Sequence, residues 1–153
     1  MFKKILVATD GSTLAEESAC GAIALAKTCG ASIIGFFAAP TYNLPIYNDI
    51  STSPAVEPER LFLKHNEKMA NEYLGALEAM ATAAGVEFIG RTIASDQPAV
   101  AIIRAANGEH CDLICMGSHG HGSIAQMLMG SVATKVLSLC DIPVLVHRTR
   151  KAG

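Results

Sequence analysis

Short apolar runs alternate with segments of helical periodicity along the whole sequence, and this alternation restricts the fold more than any other feature. The first run, residues 4–9, is rich in Ile and Val and ends at Asp10, Gly11 and Ser12. The helix-like segment after it spaces apolar residues by three and four until Gly30, a residue type that commonly ends helices. Strands that alternate with helices favour a parallel sheet covered on both faces. We therefore predict an α/β fold.

The predicted elements follow from this pattern. The first helix opens with the capping pattern Thr13-x-x-Glu16. We predict strands at residues 4–9, 31–39, 86–93, 111–116 and 142–147, and helices at residues 13–29, 59–84, 97–107 and 131–140.

The composition changes between residues 41 and 58, where Pro45, Pro54 and Pro58 accompany Ser, Thr and Asn. Proline interrupts both helices and ladders of strands, and connections of this length are often functional lids or locally disordered. We predict a long flexible loop at residues 41–58. It would lie within a single domain that spans residues 1–153, which is a usual domain size.

Charge and composition exclude several classes of protein. The net charge is -2, and the 12 Lys and Arg residues are spread along the chain, whereas a nucleic-acid binder presents a basic stripe. No apolar stretch reaches the roughly 18 residues of a membrane-spanning helix. The five cysteines are odd in number and include no C-x-x-C pair, which is typical of reduced cytosolic thiols. We expect a soluble cytoplasmic protein that binds neither nucleic acid nor membrane.

Four glycines cluster between the fourth predicted strand and the last helix: Gly117, Gly120, Gly122 and Gly130. Glycines allow backbone N–H groups to approach an anion closely, and Gly130-Ser131 opens a helix whose free N–H groups favour a phosphate. The spacing matches neither a Walker A loop nor G-x-G-x-x-G. Taken alone, the cluster fits a phosphate site and a tight strand-to-helix connection equally well.

The pattern Gly117-x2-Gly120-x9-Gly130-Ser131 resembles the ATP-binding signature of the universal stress protein family. Three further segments extend the likeness over nearly the full chain: residues 5–12, 111–114 and 142–146. The resemblance implies a Rossmann-like open sheet of five parallel strands in the order 3-2-1-4-5, with helices on both faces. The first and fourth strands would then lie side by side, with their loops around one crevice.

The resemblance also implies where the phosphates of a nucleotide would lie. Gly120, Gly130, Ser131 and Val132 would hold them. Family members that bind ATP often carry a hydroxyl residue directly after Gly-Ser-Val, whereas this sequence has Ala133 there. The resemblance implies ATP as the bound nucleotide, and the missing hydroxyl at Ala133 leaves ADP and AMP as alternatives.

The remaining site residues are carried over in the same way. Met116, Gly117 and His119 would line the ribose side, and the backbone near Ala38 would meet the adenine. Asp10 would face the phosphates or their Mg²⁺ or Mn²⁺ ion. Read from the residues alone, Asp10 also fits a turn residue that binds its own backbone.

Three functions are compatible with this site. The leading hypothesis is an ATP-binding regulator of the stress response that acts as a nucleotide-dependent dimer. Phosphoryl transfer needs cationic and nucleophile-orienting groups, and only Asp10 and Lys135 are candidates near the glycines. The alternative is a slow ATPase or phosphotransfer protein that uses Asp10 with a divalent metal and His119 or His121 as acceptor. A thiol sensor at Cys140 is the third hypothesis.

The last predicted strand suggests how two chains would associate. The apolar run that begins with Ile142 and ends with Val146 would finish the sheet with unpaired backbone groups, which proteins usually cover or pair. The family resemblance implies pairing with the same strand of a second chain. We predict a homodimer through residues 142–146.

Overall fold

A computed structural model describes residues 1–43, 56–121 and 129–149 of the chain. Strands and helices alternate throughout these ranges, as the sequence pattern predicts. In chain order the elements are β1 (Lys4–Ala8), α1 (Thr13–Cys29), β2 (Ser32–Ala39), α2 (Val56–Ala84), β3 (Phe88–Ala94), α3 (Pro98–Gly108), β4 (Leu113–Gly117), α4 (Ser131–Leu139) and β5 (Val144–His147).

Within the described ranges, five strands form one parallel sheet in the order β3-β2-β1-β4-β5. This confirms the predicted fold class and strand order. The chain moves outward from β1 to β3, then crosses back so that β4 pairs with the other side of β1. The strand order therefore reverses between β1 and β4, where α/β sheets open a crevice at their carboxyl ends.

Two apolar cores cover the two faces of the sheet. Side chains of a strand point alternately to opposite faces, so Ile5 and Val7 pack with α1 and α2 while Leu6 and Ala8 pack with α3 and α4. The central strands are buried on both faces, which is why β1 reads as a continuous apolar run.

The first helix has its predicted bounds, but its N-cap lies one residue earlier than predicted. Ser12, not Thr13, is the N-cap, and its hydroxyl accepts the Ala15 N–H at 3.2 Å. The capping box was wrong in register because Thr13 already has helical geometry. The predicted end was correct, since Gly30 caps the helix with a φ of 69°.

Helix α2 begins at Val56, three residues before its predicted start at Glu59. Pro58 lies in the first turn, where the missing N–H costs nothing because those N–H groups have no partner within the helix. Residues 56–58 therefore belong to the helix rather than to the predicted loop at 41–58. Residues 44–55 of that loop lie outside the described ranges.

The third and fourth strands begin two residues later than predicted. The N–H of Val86 donates to the carbonyl of Ala81 at 2.9 Å, and that of Cys111 donates to Ala106 at 2.8 Å. These bonds close the preceding helices in the manner of a Schellman motif. Residues that looked like strand starts are therefore used to end helices.

Two buried cysteines lie in different cores. Cys115 packs with α1 and α2, whereas Cys111 packs with α3 and α4. The spacing of four residues would place both on one face of a continuous strand, but Cys111 precedes β4 and so does not share a strand face with Cys115. Burial raises the pKa of the Cys111 thiol to about 11 and that of the Cys115 thiol to about 12.

None of the helices in the described part of the chain combines the length and the apolar character needed to cross a membrane. All five cysteines are free thiols.

We expect alkaline pH to destabilise the fold through Cys111 and Cys115. An unfolded thiol ionises near pH 8.5, whereas both folded thiols hold their protons to higher pH. Between these values the folded state binds more protons, so a rise in pH favours unfolding. Melting temperatures recorded from pH 7 upward should fall less steeply in the Cys111→Ala/Cys115→Ala variant than in wild type. Cys20→Ala, at an exposed position, is the control, and equal slopes in all three proteins would contradict the assignment.

Candidate functional site

A crevice of about 610 Å³ opens at the carboxyl ends of the central strands. Its position is the one that the reversal between β1 and β4 dictates. The structure brings all nine residues of the predicted nucleotide site to its lining: Asp10, Ala38, Met116, Gly117, His119, Gly120, Gly130, Ser131 and Val132. Residues 122–128, which include the predicted Gly122, lie outside the described ranges.

Ala38 lies at the end of the crevice formed by β2. The register between β1 and β2 ends where Ala8 pairs with Phe36, and the Thr9 N–H donates to the Phe36 carbonyl at 2.9 Å. Alternate residues of a parallel strand direct their N–H and C=O groups to the same neighbour. Two residues beyond Phe36, the backbone groups of Ala38 are therefore directed towards the side where β1 has ended.

The walls of this end are apolar and come from two helices on opposite faces of the sheet. Met69 and Tyr73 of α2 line one wall, and Pro98 and Ile102 of α3 line the other. The sequence analysis missed these four residues. Their helical spacing is visible in the sequence, but which of several core-facing positions reaches the end of the sheet depends on the helix placement.

Tyr73 also fixes the turn after β1. Its ring meets Phe37 edge to face, with ring centroids 5.2 Å apart and an interplanar angle of 87°. A side chain at Gly11 would overlap the same ring, and Gly11 has a φ of 78°. The turn thus requires glycine both for its backbone conformation and for the close approach of Tyr73.

Asp10 connects the two loops that border the crevice. Its Oδ1 accepts the Ser12 N–H at 3.0 Å, and its Oδ2 accepts the His121 N–H at 2.8 Å. The first bond is the local turn contact that the sequence allowed. The second joins the end of β1 to the glycine-rich segment 111 residues later.

Ser118 is a buried polar residue directly after β4, with 2% exposure. Its N–H donates to the His147 carbonyl of β5 at 2.8 Å, and its own carbonyl accepts the Gly130 N–H at 2.7 Å. Its Oγ lies 2.9 Å from Nδ1 of His119. These contacts hold Ser118 between β5 and the start of α4. Ser118 was not predicted from the sequence because His147 and Gly130, its backbone partners, are distant in the chain.

Helix α4 begins beside the crevice with Gly130 as N-cap and without a capping side chain. The first backbone N–H groups of a helix have no partner within the helix, and the positive end of the helix dipole adds to them. Ser131 and Val132 occupy these positions and line the crevice. An anion placed there would meet both N–H groups.

The positions after Val132 differ from the arrangement that the resemblance implied for ATP binders. Ala133 is buried, with 2% exposure. The hydroxyl of Thr134 donates to the Gly130 carbonyl at 2.9 Å. Thr134 therefore does not replace the hydroxyl that is absent at position 133.

The crevice carries little charge. Among its described lining residues, Asp10 is the only acidic side chain, and none is lysine or arginine. Within residues 1–43, 56–121 and 129–149, no three His, Cys, Asp or Glu side chains are grouped closely enough to hold a metal ion. A divalent cation would need phosphate and water for most of its ligands, as Mg²⁺ often does.

Comparison with known proteins identifies the family. The model of the universal stress protein family matches residues 1–148. The chain belongs to the universal stress protein family. This universal stress protein is 35% identical over 148 residues to one from Thermus aquaticus, with 97% of this chain and 100% of that protein covered. It is 32% identical to YxiE of Bacillus subtilis, with 97% of this chain and 100% of that protein covered.

Solved structures of other universal stress proteins share the fold. One in complex with cAMP matches with a TM-score of 0.68 and 23% identity, covering 97% of this chain and 99% of that chain. Another, from Archaeoglobus fulgidus in complex with dAMP, matches with a TM-score of 0.62 and 20% identity, covering 95% and 97%. At these identities the likeness establishes the fold.

We expect Gly11→Ala to destabilise this universal stress protein more than Gly30→Ala. Both glycines have positive φ, but a side chain at Gly30 meets nothing within 4 Å. Positive φ costs an L-residue about 1 to 2 kcal/mol, and displacing the Tyr73 ring adds about 1 to 3 kcal/mol at Gly11. Urea unfolding of both variants measures the difference. Equal losses would show that the Tyr73 ring does not constrain the turn.

Proposed function

We propose that the protein binds an adenine nucleotide in this crevice and acts as a nucleotide-dependent regulatory module of the stress response. The observation that carries the proposal is the pairing of two backbone features across one apolar crevice. The groups of Ala38 lie at one end and the open start of α4 at the other. The cAMP and dAMP complexes of proteins with the same fold support an adenine nucleotide as the ligand class.

The Ala38 end suits adenine. Adenine presents an amino donor beside a ring-nitrogen acceptor on its Watson–Crick edge, and a backbone C=O and N–H directed to the same side complement this pair. Guanine presents the opposite order. The apolar side chains of Met69 and Ile102 would cover the two faces of the base.

The α4 end suits phosphate. Ser131 and Val132 would donate backbone N–H groups, and the Ser131 hydroxyl would add a further donor. In this pose Met116, Gly117 and His119 would lie beside the ribose, and Gly120 beside the phosphates. The family resemblance supplied these residues, and all of them line the crevice of this chain.

Asp10 restricts where the phosphates lie. Two like charges 4 Å apart repel by about 4 kcal/mol at a partly buried site, so a phosphate near Asp10 needs a cation between them. We propose that Mg²⁺ or Mn²⁺ enters with the nucleotide, with Asp10 as its protein carboxylate. ATP is the proposed ligand, and the buried Ala133 with the engaged hydroxyl of Thr134 leaves ADP and AMP as alternatives.

A binding role is favoured over catalysis because no lysine or arginine lines the described crevice. Phosphoryl transfer generally uses such a cation at the terminal phosphate. The competing function is a slow ATPase or phosphotransfer protein in which Asp10 holds the metal and His119 or His121 accepts the phosphoryl group. Turnover of about one per second or faster by the purified protein would favour this second function.

We also propose a homodimer through residues 142–146. Strand β5 is an edge strand of the sheet, and Leu145 is 43% exposed. An exposed apolar edge strand is usually paired or covered.

The cytoplasm is the proposed compartment, and the free state of all five cysteines supports it.

We expect Gly130→Val to abolish ATP binding. A Cβ at Gly130 would lie 3.0 Å from the Ser118 carbonyl and 3.4 Å from Cα of His119, so the larger side chain would displace the segment that lines the crevice. Ser131→Ala removes one hydroxyl hydrogen bond worth about 0.5 to 3 kcal/mol and should weaken binding several-fold.

Titration calorimetry with ATP measures both effects, after circular dichroism has confirmed the fold. Ser138→Ala is the matched control on the same helix, because the Ser138 hydroxyl donates to the Thr134 carbonyl instead. Native-like affinity in a folded Gly130→Val variant would remove the assigned site.

We expect Leu145→Lys to convert the dimer to monomer. Leu145 is the better test residue than Val144, since Val144 packs against the core of α3 and α4. Leu63→Lys on α2 is the control at a similarly exposed leucine, 52% exposed. Sedimentation should give a dimer for wild type and for the control, and a monomeric wild type at micromolar concentration would contradict the proposed dimer.

A further inference from the structure

The contacts of Asp10 reach beyond its own turn. Its two carboxylate oxygens accept two backbone N–H groups, from Ser12 at 3.0 Å and from His121 at 2.8 Å. Hydrogen bonds to an ionised acceptor are about twice as strong as those between neutral groups. The carboxylate thus joins the turn after β1 to the segment after β4, and these two segments border the crevice.

Gly120 lies directly against this carboxylate. A Cβ built at Gly120 would overlap Oδ2 of Asp10, the same oxygen that accepts the His121 N–H. A side chain at Gly120 would therefore displace the carboxylate. Gly130, by contrast, would meet the backbone of Ser118. The two glycines are required for different reasons.

We propose that Asp10 is a positioning residue that holds Gly120 and His121, which follow β4, beside the turn after β1, and that position 120 is glycine because a side chain there would displace the Asp10 carboxylate. The inference deepens the proposed nucleotide site, on which its consequence for ligand binding rests. It attributes the need for glycine at position 120 to an intramolecular contact, which Gly120 would keep while it lies beside the phosphates in the proposed pose. The ligand then meets Gly120 and His121 already held in place, which lowers the cost of binding.

The position of the carboxylate also orients the nucleotide. Its charge lies at the turn after β1, whereas the positive end of the α4 dipole lies at Ser131. Phosphates are repelled from the first place and attracted to the second. The Asp10 carboxylate therefore directs the phosphates towards α4. Hydroxyl groups, amino groups or a cation of the ligand would lie on the Asp10 side.

The test is a double-mutant cycle in the ligand-free protein, read by amide hydrogen exchange at His121. Asp10→Ala should accelerate that exchange at least tenfold, and Gly120→Ala should do the same because the carboxylate must move away. In the Asp10→Ala/Gly120→Ala protein the exchange should equal that of Asp10→Ala within about twofold, since no carboxylate remains to be displaced. Asp10→Asn keeps one acceptor oxygen, so the Ser12 and His121 amides cannot both remain protected.

Gly75→Ala is the matched control, because a Cβ there meets nothing within 4 Å, and it should leave His121 exchange unchanged. Amides of the central strands should keep their protection from exchange in every variant. This result would separate loss of the Asp10–His121 hydrogen bond from general destabilisation of the fold. The proposal would be overturned if the two substitutions accelerated His121 exchange independently, so that their factors multiplied in the double variant. It would also be overturned if His121 exchanged normally in the Gly120→Ala protein.

ATP titrations of the wild type, Asp10→Ala, Gly120→Ala and the double variant are an independent test. Gly120→Ala should weaken ATP binding at least fivefold in the wild-type background and less than twofold in the Asp10→Ala background. Equal losses in both backgrounds would show that Gly120 is needed for the ligand itself and would overturn its assignment to Asp10. If the wild-type protein binds no nucleotide, the proposed function is wrong. The hydrogen-exchange cycle would still test whether Asp10 is a positioning residue.

Discussion

The reversal of strand order between β1 and β4 is the constraint on which the rest of the structure depends. Both strands are parallel and adjacent, yet the connections that follow them leave to opposite sides. Connections that leave to opposite sides open a crevice between the carboxyl ends of the two strands. The turn at Asp10, the segment at Ser118 and the start of α4 all lie where they do because they border this crevice.

The described lining of the crevice presents main-chain groups more than charged side chains. Ala38 contributes backbone groups because β2 continues beyond β1, and Ser131 and Val132 contribute N–H groups because α4 starts without a capping side chain. The side chains mostly supply shape, as Tyr73 does against Phe37. Such a lining fits the binding role that we propose for the crevice.

The alternation of strands and helices could be predicted from local signals in the sequence, whereas the strand order and the site residues were implied by the family resemblance. Apolar period, helix-ending glycines and a family pattern located the strands, Asp10 and Gly130. The errors at Thr13 and Cys111 arose where a residue could serve either an element or its cap. Tyr73 and Ser118 were missed because their roles come from partners far away in the chain, and one sequence contains no record of such distances.

The hydrogen bond from Ser118 to the last carbonyl of β5 has a thermodynamic consequence. If a second chain pairs with β5, it restrains the strand that anchors the glycine-rich segment. Part of the entropy cost of ordering the residues around Ser118 is then met on association, before any ligand binds. By thermodynamic reciprocity, a bound ligand strengthens association by the same factor by which association strengthens ligand binding. Ligand affinity would then depend on protein concentration, and the amount of protein in the cell would itself set the nucleotide level at which the protein responds.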